Sequence, residues 1–167
     1  MGWIASSLEI PAVRIRIRFE TGTEPLTYGT DTFLYTAVLD TGSPVTVVPG
    51  RVVDAVERLN HNGGFSTLYR VELLSPNRET TTLDLPHRGS WKGRKAGQEE
   101  SKNYERFLIS VEVEGRAYND LSTVVMPPVG EDEKPHVIVG REFLFMNGRC
   151  SFDRIKRRFK LGRCCWF

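Results

Sequence analysis

The chain has 167 residues, of which 40% are hydrophobic and 26% charged, and its formal net charge is +2. This composition is typical of a single globular domain, here residues 1–167, that can bury a substantial core. The small charge gives no indication of a nucleic-acid partner or a membrane surface, and no apolar run approaches the roughly 18 residues that span a bilayer. The three cysteines do not form a disulfide framework, and the start of the chain has no evident signal peptide, so we expect a cytoplasmic protein.

Short apolar runs, several of them alternating with a period of two, dominate the chain and predict strands. In chain order the predicted strands cover residues 13–19, 33–39, 45–49, 69–74, 80–85, 107–114, 121–126, 136–139, 149–152 and 157–161. Residues 51–59 are predicted as a short helix, because Val52, Val56 and Leu59 recur at helical spacing, and residues 142–146 as one or two helical turns. Many short strands with little helix predict an all-β fold, a small barrel or sandwich.

One polar stretch interrupts this pattern. Residues 87–103 (HRGSWKGRKAGQEESKN) contain three glycines, many charges and one large apolar side chain, Trp91. A stretch of this kind inside a compact domain is usually functional or disordered.

The clearest chemistry lies in the run Asp40-Thr41-Gly42-Ser43. It stands between two apolar runs, residues 36–39 and 45–48, so its loop is expected to emerge from the core rather than from an exposed hairpin. A carboxylate in that position is partly desolvated and needs hydrogen bonds or a partner. Gly42 lets the backbone approach closely and present an N–H group to Asp40, and the hydroxyls of Thr41 and Ser43 belong to the same network. Taken alone, Asp40 is therefore either a candidate catalytic carboxylate or an ordinary acid in a surface turn.

A second pattern follows about 100 residues later, where Val137-Ile138-Val139-Gly140 continues as Arg141-Glu142-Phe143-Leu144. Together the two patterns resemble the retroviral-type (retropepsin-like) aspartic peptidases. Their half-site is an apolar strand, Asp-Thr/Ser-Gly-Ala/Ser and a second apolar strand, and much later comes a hydrophobic-hydrophobic-Gly segment, commonly followed by Arg-Asp/Asn-hydrophobic-Leu. Residues 37–48 and 137–144 match these parts, with Glu142 where Asp or Asn is commoner. The resemblance implies a retropepsin-like acid-protease barrel.

The resemblance also implies an aspartic endopeptidase whose site needs two chains, because this sequence contains a single Asp-Thr-Gly. The nearest imitation, Glu20-Thr21-Gly22-Thr23, is followed by Glu24-Pro25 rather than by an apolar run and is expected to be a hairpin turn. The resemblance therefore implies a homodimer with one Asp40 from each chain at its twofold axis. The paired carboxylates would share a proton and activate a water molecule, and neither a metal nor a cofactor is expected.

By the same resemblance, the residues after Asp40 have supporting roles. Thr41 would form a hydrogen bond across the dimer, and Gly42 would support Asp40 through its amide. Ser43 stands where alanine is common in the retroviral enzymes. A hydroxyl donated to a carboxylate favours the ionised form, so Ser43 is predicted to shift the activity optimum to lower pH relative to Ser43→Ala.

Enzymes of this type close a hairpin flap over the substrate, and two segments are candidates here. The favoured tip is residues 87–103, with Gly89, Gly93 and Gly97, because lids need glycine-rich, weakly packed sequence; a disordered insertion is the alternative. The other candidate is residues 60–65, with Gly63 and Gly64. The predicted substrate-binding residues are Ser43, Gly89, Gly93, Gly97 and Val139.

The remaining polar residues indicate no further site. His61, His87 and His136 are scattered, and neither they nor the cysteines have metal-ligand spacing. The basic run 154–160 is expected to be a solvated face. Arg141 pairs either with an acid near the active loop or dimer seam, or with a simple surface partner. Two other functions stay open: a catalytically weak or inactive retropepsin-like module for dimerisation and peptide binding, and an unrelated β-barrel binding protein.

Overall fold

The computed structural model describes residues 4–5, 11–23, 26–59, 62–94, 99–128, 134–146, 150–153 and 155–161. The strands are Ile4–Ala5 (β1), Ala12–Thr23 (β2), Leu26–Tyr28 (β3), Phe33–Leu39 (β4), Thr46–Leu59 (β5), Phe65–Leu74 (β6), Thr80–Pro86 (β7), Ser90–Gly93 (β8), Lys102–Val113 (β9), Arg116–Met126 (β10), Val137–Val139 (β11), Cys150–Asp153 (β12) and Arg158–Leu161 (β13). The helix Arg141–Met146 (α1) follows β11.

Six of the strands form a closed barrel in the order β10, β9, β2, β4, β11, β5 and back to β10. The β4–β11 and β5–β10 pairs are parallel, and the other barrel pairs are antiparallel. Closure leaves these strands without a free edge. The prediction of an all-β fold with little helix is therefore confirmed for the described residues.

The alternation in β2 shows how the sequence produces the barrel. Its residues Val13, Ile15, Ile17 and Phe19 are at most 5% exposed and line the interior, and the arginines between them face solvent. The same core also includes Ile4, Phe159 and Leu161 from a small three-stranded sheet, in the order β1, β13, β12. The barrel and the small sheet thus share one core, and Val45, Val124 and Met126 form a second, smaller buried cluster.

The predicted helix at residues 51–59 is wrong, because these residues complete the long strand β5. They pair with β6 as far as Leu59 opposite Phe65. A bulge between Val52 and Asp54 shifts the pairing register by one residue, so the side chains after it point to the opposite face from the one that the alternation before it predicts. Val52 therefore lies opposite Val71, and Val56 lies opposite Leu68. The two valines have the spacing of one helix face, but they lie on opposite faces of a bulged strand.

The polar stretch 87–103 contains regular structure that its composition does not predict. Residues 90–93 form β8, which pairs antiparallel with residues 102–105 of β9, so that Trp91 lies opposite Tyr104. Residues 90–93 and 102–105 are thus the two strands of a β-hairpin, and we call these strands, together with Arg94, the upper hairpin. A second hairpin joins β5 to β6 around Gly63. Within the part of the chain that the structure describes, no helix has the length and apolarity to cross a membrane.

Candidate functional site

The barrel brings the two sequence patterns into direct contact. Strand β11 lies between β4 and β5, with Val137, Ile138 and Val139 opposite Ala37, Val38 and Leu39. The next residue along β4, Asp40, donates its backbone N–H to the Val139 carbonyl at 2.9 Å. Residues about 100 positions apart in the chain thus hold the backbone of Asp40 in place.

Gly140 continues this junction beyond the strands. A Cβ atom at position 140 would lie 2.2 Å from the Val45 carbonyl oxygen and 2.8 Å from that of Ser43, so the close approach requires glycine. The following N–H groups then bond to the Asp40 loop, Arg141 N to Ser43 O at 2.8 Å and Glu142 N to Pro44 O at 3.3 Å. The start of α1 is therefore attached to the loop that follows Asp40.

The Asp40 carboxylate receives the hydrogen bond predicted for it. Gly42 N–H donates to Asp40 Oδ1 at 2.8 Å. The expectation of partial desolvation is wrong for the single chain, because Asp40, Thr41 and Gly42 are all exposed. They lie in the exposed turn that follows β4, outside the interior of the barrel. Among the described residues the Thr41 hydroxyl makes no hydrogen bond, and its predicted bond across a dimer stays a prediction.

The role predicted for the Ser43 hydroxyl is not supported. Ser43 Oγ donates to the Val45 carbonyl at 2.7 Å, and a hydroxyl has a single proton to donate. It therefore closes the loop locally and does not donate to Asp40. The predicted acid shift of the activity optimum loses its physical basis.

A cavity of about 380 Å³ lies against the Asp40 loop. Its walls come from the Asp40 loop, the start of β5, the end of β10, the segment that leads into β11 and the upper hairpin. They are mainly apolar, and the lining residues are Asp40, Gly42, Ser43, Pro44, Val45, Val47, Pro49, Trp91, Arg94, Met126, Pro127, Pro128, Lys134, His136 and Ile138. A concave apolar site with a few polar groups has the character of a ligand site.

Only one of the predicted substrate-binding residues lines the cavity among those that the structure describes. Ser43 lines the cavity. Val139 does not, because it is 2% exposed and faces the core, while Ile138 on the other face of β11 lines the cavity. Gly89 and Gly93 also do not contribute to the lining, and Gly97 lies outside the described residues.

The upper hairpin reaches the cavity through Trp91, a residue that stands out in the sequence but was not predicted to belong to the site. The Trp91 ring packs with Val47 and Tyr104 against the buried cluster of Val45 and Met126. A Cβ at Gly93 would overlap this ring, so Gly93 makes room for it. The sequence signal that could have placed Trp91 at the site was its being the one large aromatic residue in a polar, glycine-rich stretch. Of the two candidate flaps, only this hairpin contributes described residues to the cavity; its action as a flap stays a prediction.

A buried ion pair anchors the base of the upper hairpin. Glu20 is 1% exposed, and both of its carboxylate oxygens accept hydrogen bonds from Arg88, one of them from Nε at 2.9 Å. The side chain of Arg88 is 34% exposed, and pairing with Glu20 raises its pKa. Glu20 lies within strand β2 of the β2–β3 hairpin, so it is a structural acid and not a second catalytic one.

The acid at position 142 also has a structural partner. Glu142 accepts two hydrogen bonds of 3.0 Å from Arg106, which in addition donates to Ser122 Oγ at 2.9 Å. This pair attaches α1 to β9 and β10. The expected surface ion pair of Arg141 is absent among the described residues, so that alternative is wrong for the described part of the chain, and pairing at a dimer seam stays a prediction.

The histidines have separate surroundings. His136 lines the cavity, and His87 contacts the Glu105 carboxylate at the base of the upper hairpin; His61 lies outside the described residues. Within the described ranges, no group of three or more His, Cys, Asp or Glu side chains could hold a metal ion.

Comparisons with known proteins do not indicate a function for this site. No family model matches the chain, and no curated protein matches it. Among solved structures, the chain is similar to a protein of unknown function (DUF785) from Legionella pneumophila, with 11% sequence identity over 78% of this chain and 81% of that one and a TM-score of 0.46. Function must therefore be inferred from the site itself.

Proposed function

We propose that this protein is a retropepsin-like aspartic endopeptidase that acts as a homodimer. The observation that carries the proposal is the junction between the two sequence patterns. The strand ending in Val139 lies beside the strand ending in Leu39, and the residues after each strand bond to one another around Asp40. A loop braced in this way holds a carboxylate at a fixed position, as catalysis by a positioned acid or base requires.

The dimer is proposed from the number of acids and from their exposure. A water molecule that attacks a peptide bond needs one group to accept a proton and another to donate one. Asp40 is the single carboxylate that lines the cavity among the described residues. Because Asp40 and Thr41 are exposed in the single chain, a second chain can approach them, and twofold symmetry would supply the second carboxylate.

In such a pair the two Asp40 side chains have different roles at any moment. Like charges about 3 Å apart do not both ionise, so the pair shares a proton and titrates as a unit. The ionised member takes a proton from water, which attacks the peptide carbonyl. The protonated member donates to the developing oxyanion and later to the leaving nitrogen. The hydrogen bond from Gly42 N–H stabilises the charged form and fixes its orientation.

The test compares wild type with Asp40→Asn in cleavage of a peptide library, with and without a pepstatin-type transition-state mimic. Asp31→Asn is the matched control, because it removes an exposed carboxylate from the loop before β4 and not from the cavity. We expect wild type and Asp31→Asn to cleave peptides and the mimic to inhibit both of them. Asp40→Asn is expected to cleave no peptide. Equal cleavage by all three proteins contradicts the proposal. Peptide binding without cleavage by wild type would instead favour the inactive peptide-binding module.

A further inference from the structure

The cavity that holds Asp40 is lined by basic side chains as well as apolar ones. Arg94 lies at the end of β8, and Lys134 and His136 lie in the segment that leads into β11. Asp40 is the one acidic residue that the described residues contribute to the same lining. The described residues of this lining thus carry a positive formal charge.

The two permanent cations of this wall are not neutralised by carboxylates of the described chain. Arg94 donates to the Glu99 backbone carbonyl at 3.5 Å, the limit of a hydrogen bond, and makes no ion pair there. Lys134 has no ion pair with a described residue either; its carbonyl contacts His136 Nδ1 at 3.2 Å. Arg51 and Arg70, by contrast, have the carboxylates of Glu72 and Asp84 as partners. Among the described residues, Arg94 and Lys134 are thus the cations of this lining that can bind an anion from outside.

We propose that the cavity selects peptides in which an acidic side chain lies near the apolar residues at the scissile bond. This inference rests on the proposed peptidase function and names its substrate class. The apolar part of the wall, with Trp91, Met126 and Ile138, receives an apolar side chain. Arg94 and Lys134 bind a carboxylate, with Arg94 able to do so through two parallel hydrogen bonds.

The geometry limits where the acidic residue lies. Val139 is opposite Leu39, so Gly140 lies beside Asp40, and Lys134 precedes Gly140 by six residues. An extended chain spans about 3.3 Å per residue, so Lys134 lies at most roughly 20 Å from the reacting centre along this path. A substrate in extended conformation therefore carries its acidic residue within about six positions of the scissile bond. In a symmetric dimer the preference appears on both sides of that bond.

The experiment uses matched peptides with Glu or Gln at each position around a central apolar pair. Wild type gives kcat/KM for each peptide, and Asp40→Asn gives the Kd by fluorescence anisotropy without cleavage. We expect Glu to be preferred over Gln by about three- to tenfold in both measurements at one or more positions. The double variant Arg94→Glu/Lys134→Glu is expected to reverse the preference. The matched control Arg14→Glu, an exposed residue of β2 outside the cavity, is expected to keep it.

The possible results separate this inference from the proposed function. Cleavage with equal kcat/KM and equal Kd for Glu and Gln peptides at every position overturns the acidic preference and leaves the peptidase in place. Preferential binding of Glu peptides without cleavage by wild type overturns the peptidase and supports the acidic preference of the cavity. Failure to bind or cleave any peptide overturns both. An unchanged preference in Arg94→Glu/Lys134→Glu also overturns the inference.

Discussion

Gly140→Ala tests the junction between the two halves of the site. The added methyl group would lie 2.2 Å from the Val45 carbonyl oxygen and 2.5 Å from its carbon, both of them backbone atoms that cannot rotate away. The strand β11 and the Asp40 loop must therefore separate. Such overpacking costs about 1–3 kcal/mol.

Separation also weakens the hydrogen bonds that cross the junction. Arg141 N–H to Ser43 O and Glu142 N–H to Pro44 O are the nearest of them, and each contributes about 0.5–1.5 kcal/mol. The total expected loss is about 2–6 kcal/mol in the free energy of unfolding. With a urea dependence of about 2 kcal/mol per molar, the unfolding midpoint falls by roughly 1–3 M. The loop should also shift relative to Asp40, so peptide cleavage should be lost under conditions where the variant is still folded.

The matched control is Gly115→Ala in the β9–β10 turn. Gly115 has a φ of 75° but open space where a Cβ would stand, so it suffers conformational strain of about 1 kcal/mol without a clash. Both proteins are unfolded in urea at one fixed protein concentration, because the apparent stability of the proposed dimer would depend on concentration. Midpoints of Gly140→Ala and Gly115→Ala that agree within about 0.3 M would refute the reasoning.

Three further outcomes follow from single contacts. Arg88→Ala leaves the buried Glu20 carboxylate without its partner, and because Arg88 is partly exposed we expect the low end of the range for a broken buried pair, about 3 kcal/mol by urea unfolding. Ser43→Ala removes the hydrogen bond to Val45 O; it should cost about 1 kcal/mol and leave the pH–rate profile unshifted. Burial raises the pKa of Tyr35 to about 12, so its contribution to stability is fully present below the unfolded pKa near 10 and is lost as the pH rises through about 12.

Each of these has its own control or contrary result. Arg88→Ala with Glu20→Gln should recover part of the loss, since no charge is then buried, and equal stability of the single and double variants would contradict the pairing argument. A pH–rate profile of Ser43→Ala that moves to higher pH would restore the original prediction for that hydroxyl. Tyr35→Phe should weaken the alkaline dependence in urea unfolding between pH 10 and 12 without abolishing it, because the pKa of Tyr28 is also raised to about 12. An unaltered dependence would show that Tyr35 does not contribute to it.

The parts of the fold that the sequence predicts are those in which one face of a strand is buried. Val13 to Phe19 and Ile109 to Val113 alternate with polar residues, and the strands were found there. The strand 51–59 was missed because a bulge disrupts the alternation of the valines. The short strand β8 was missed because its composition is polar, and its pairing with residues 102–105 is a tertiary effect.

The site divides in the same way. Asp40, Gly42 and the segment Val137 to Leu144 were found from local patterns, because glycine and β-branched residues have local conformational meaning. The cavity wall could not be predicted in this way, because Trp91, Arg94 and Lys134 come together only when the barrel closes. The direction of the Ser43 hydroxyl depends on whether Val45 O or the Asp40 carboxylate is in reach, a difference of local geometry that residue type does not encode.

The most direct test of the central claim is the cleavage rate of wild type mixed with an equal amount of Asp40→Asn. If two Asp40 side chains form one site, random exchange of chains places about half of the wild-type chains in inactive mixed dimers. The rate per wild-type chain should then fall to about half of its value in the absence of the variant, and further as more Asp40→Asn is added. A rate per wild-type chain that is independent of the added variant, while sedimentation shows that mixed dimers form, would contradict a shared active site.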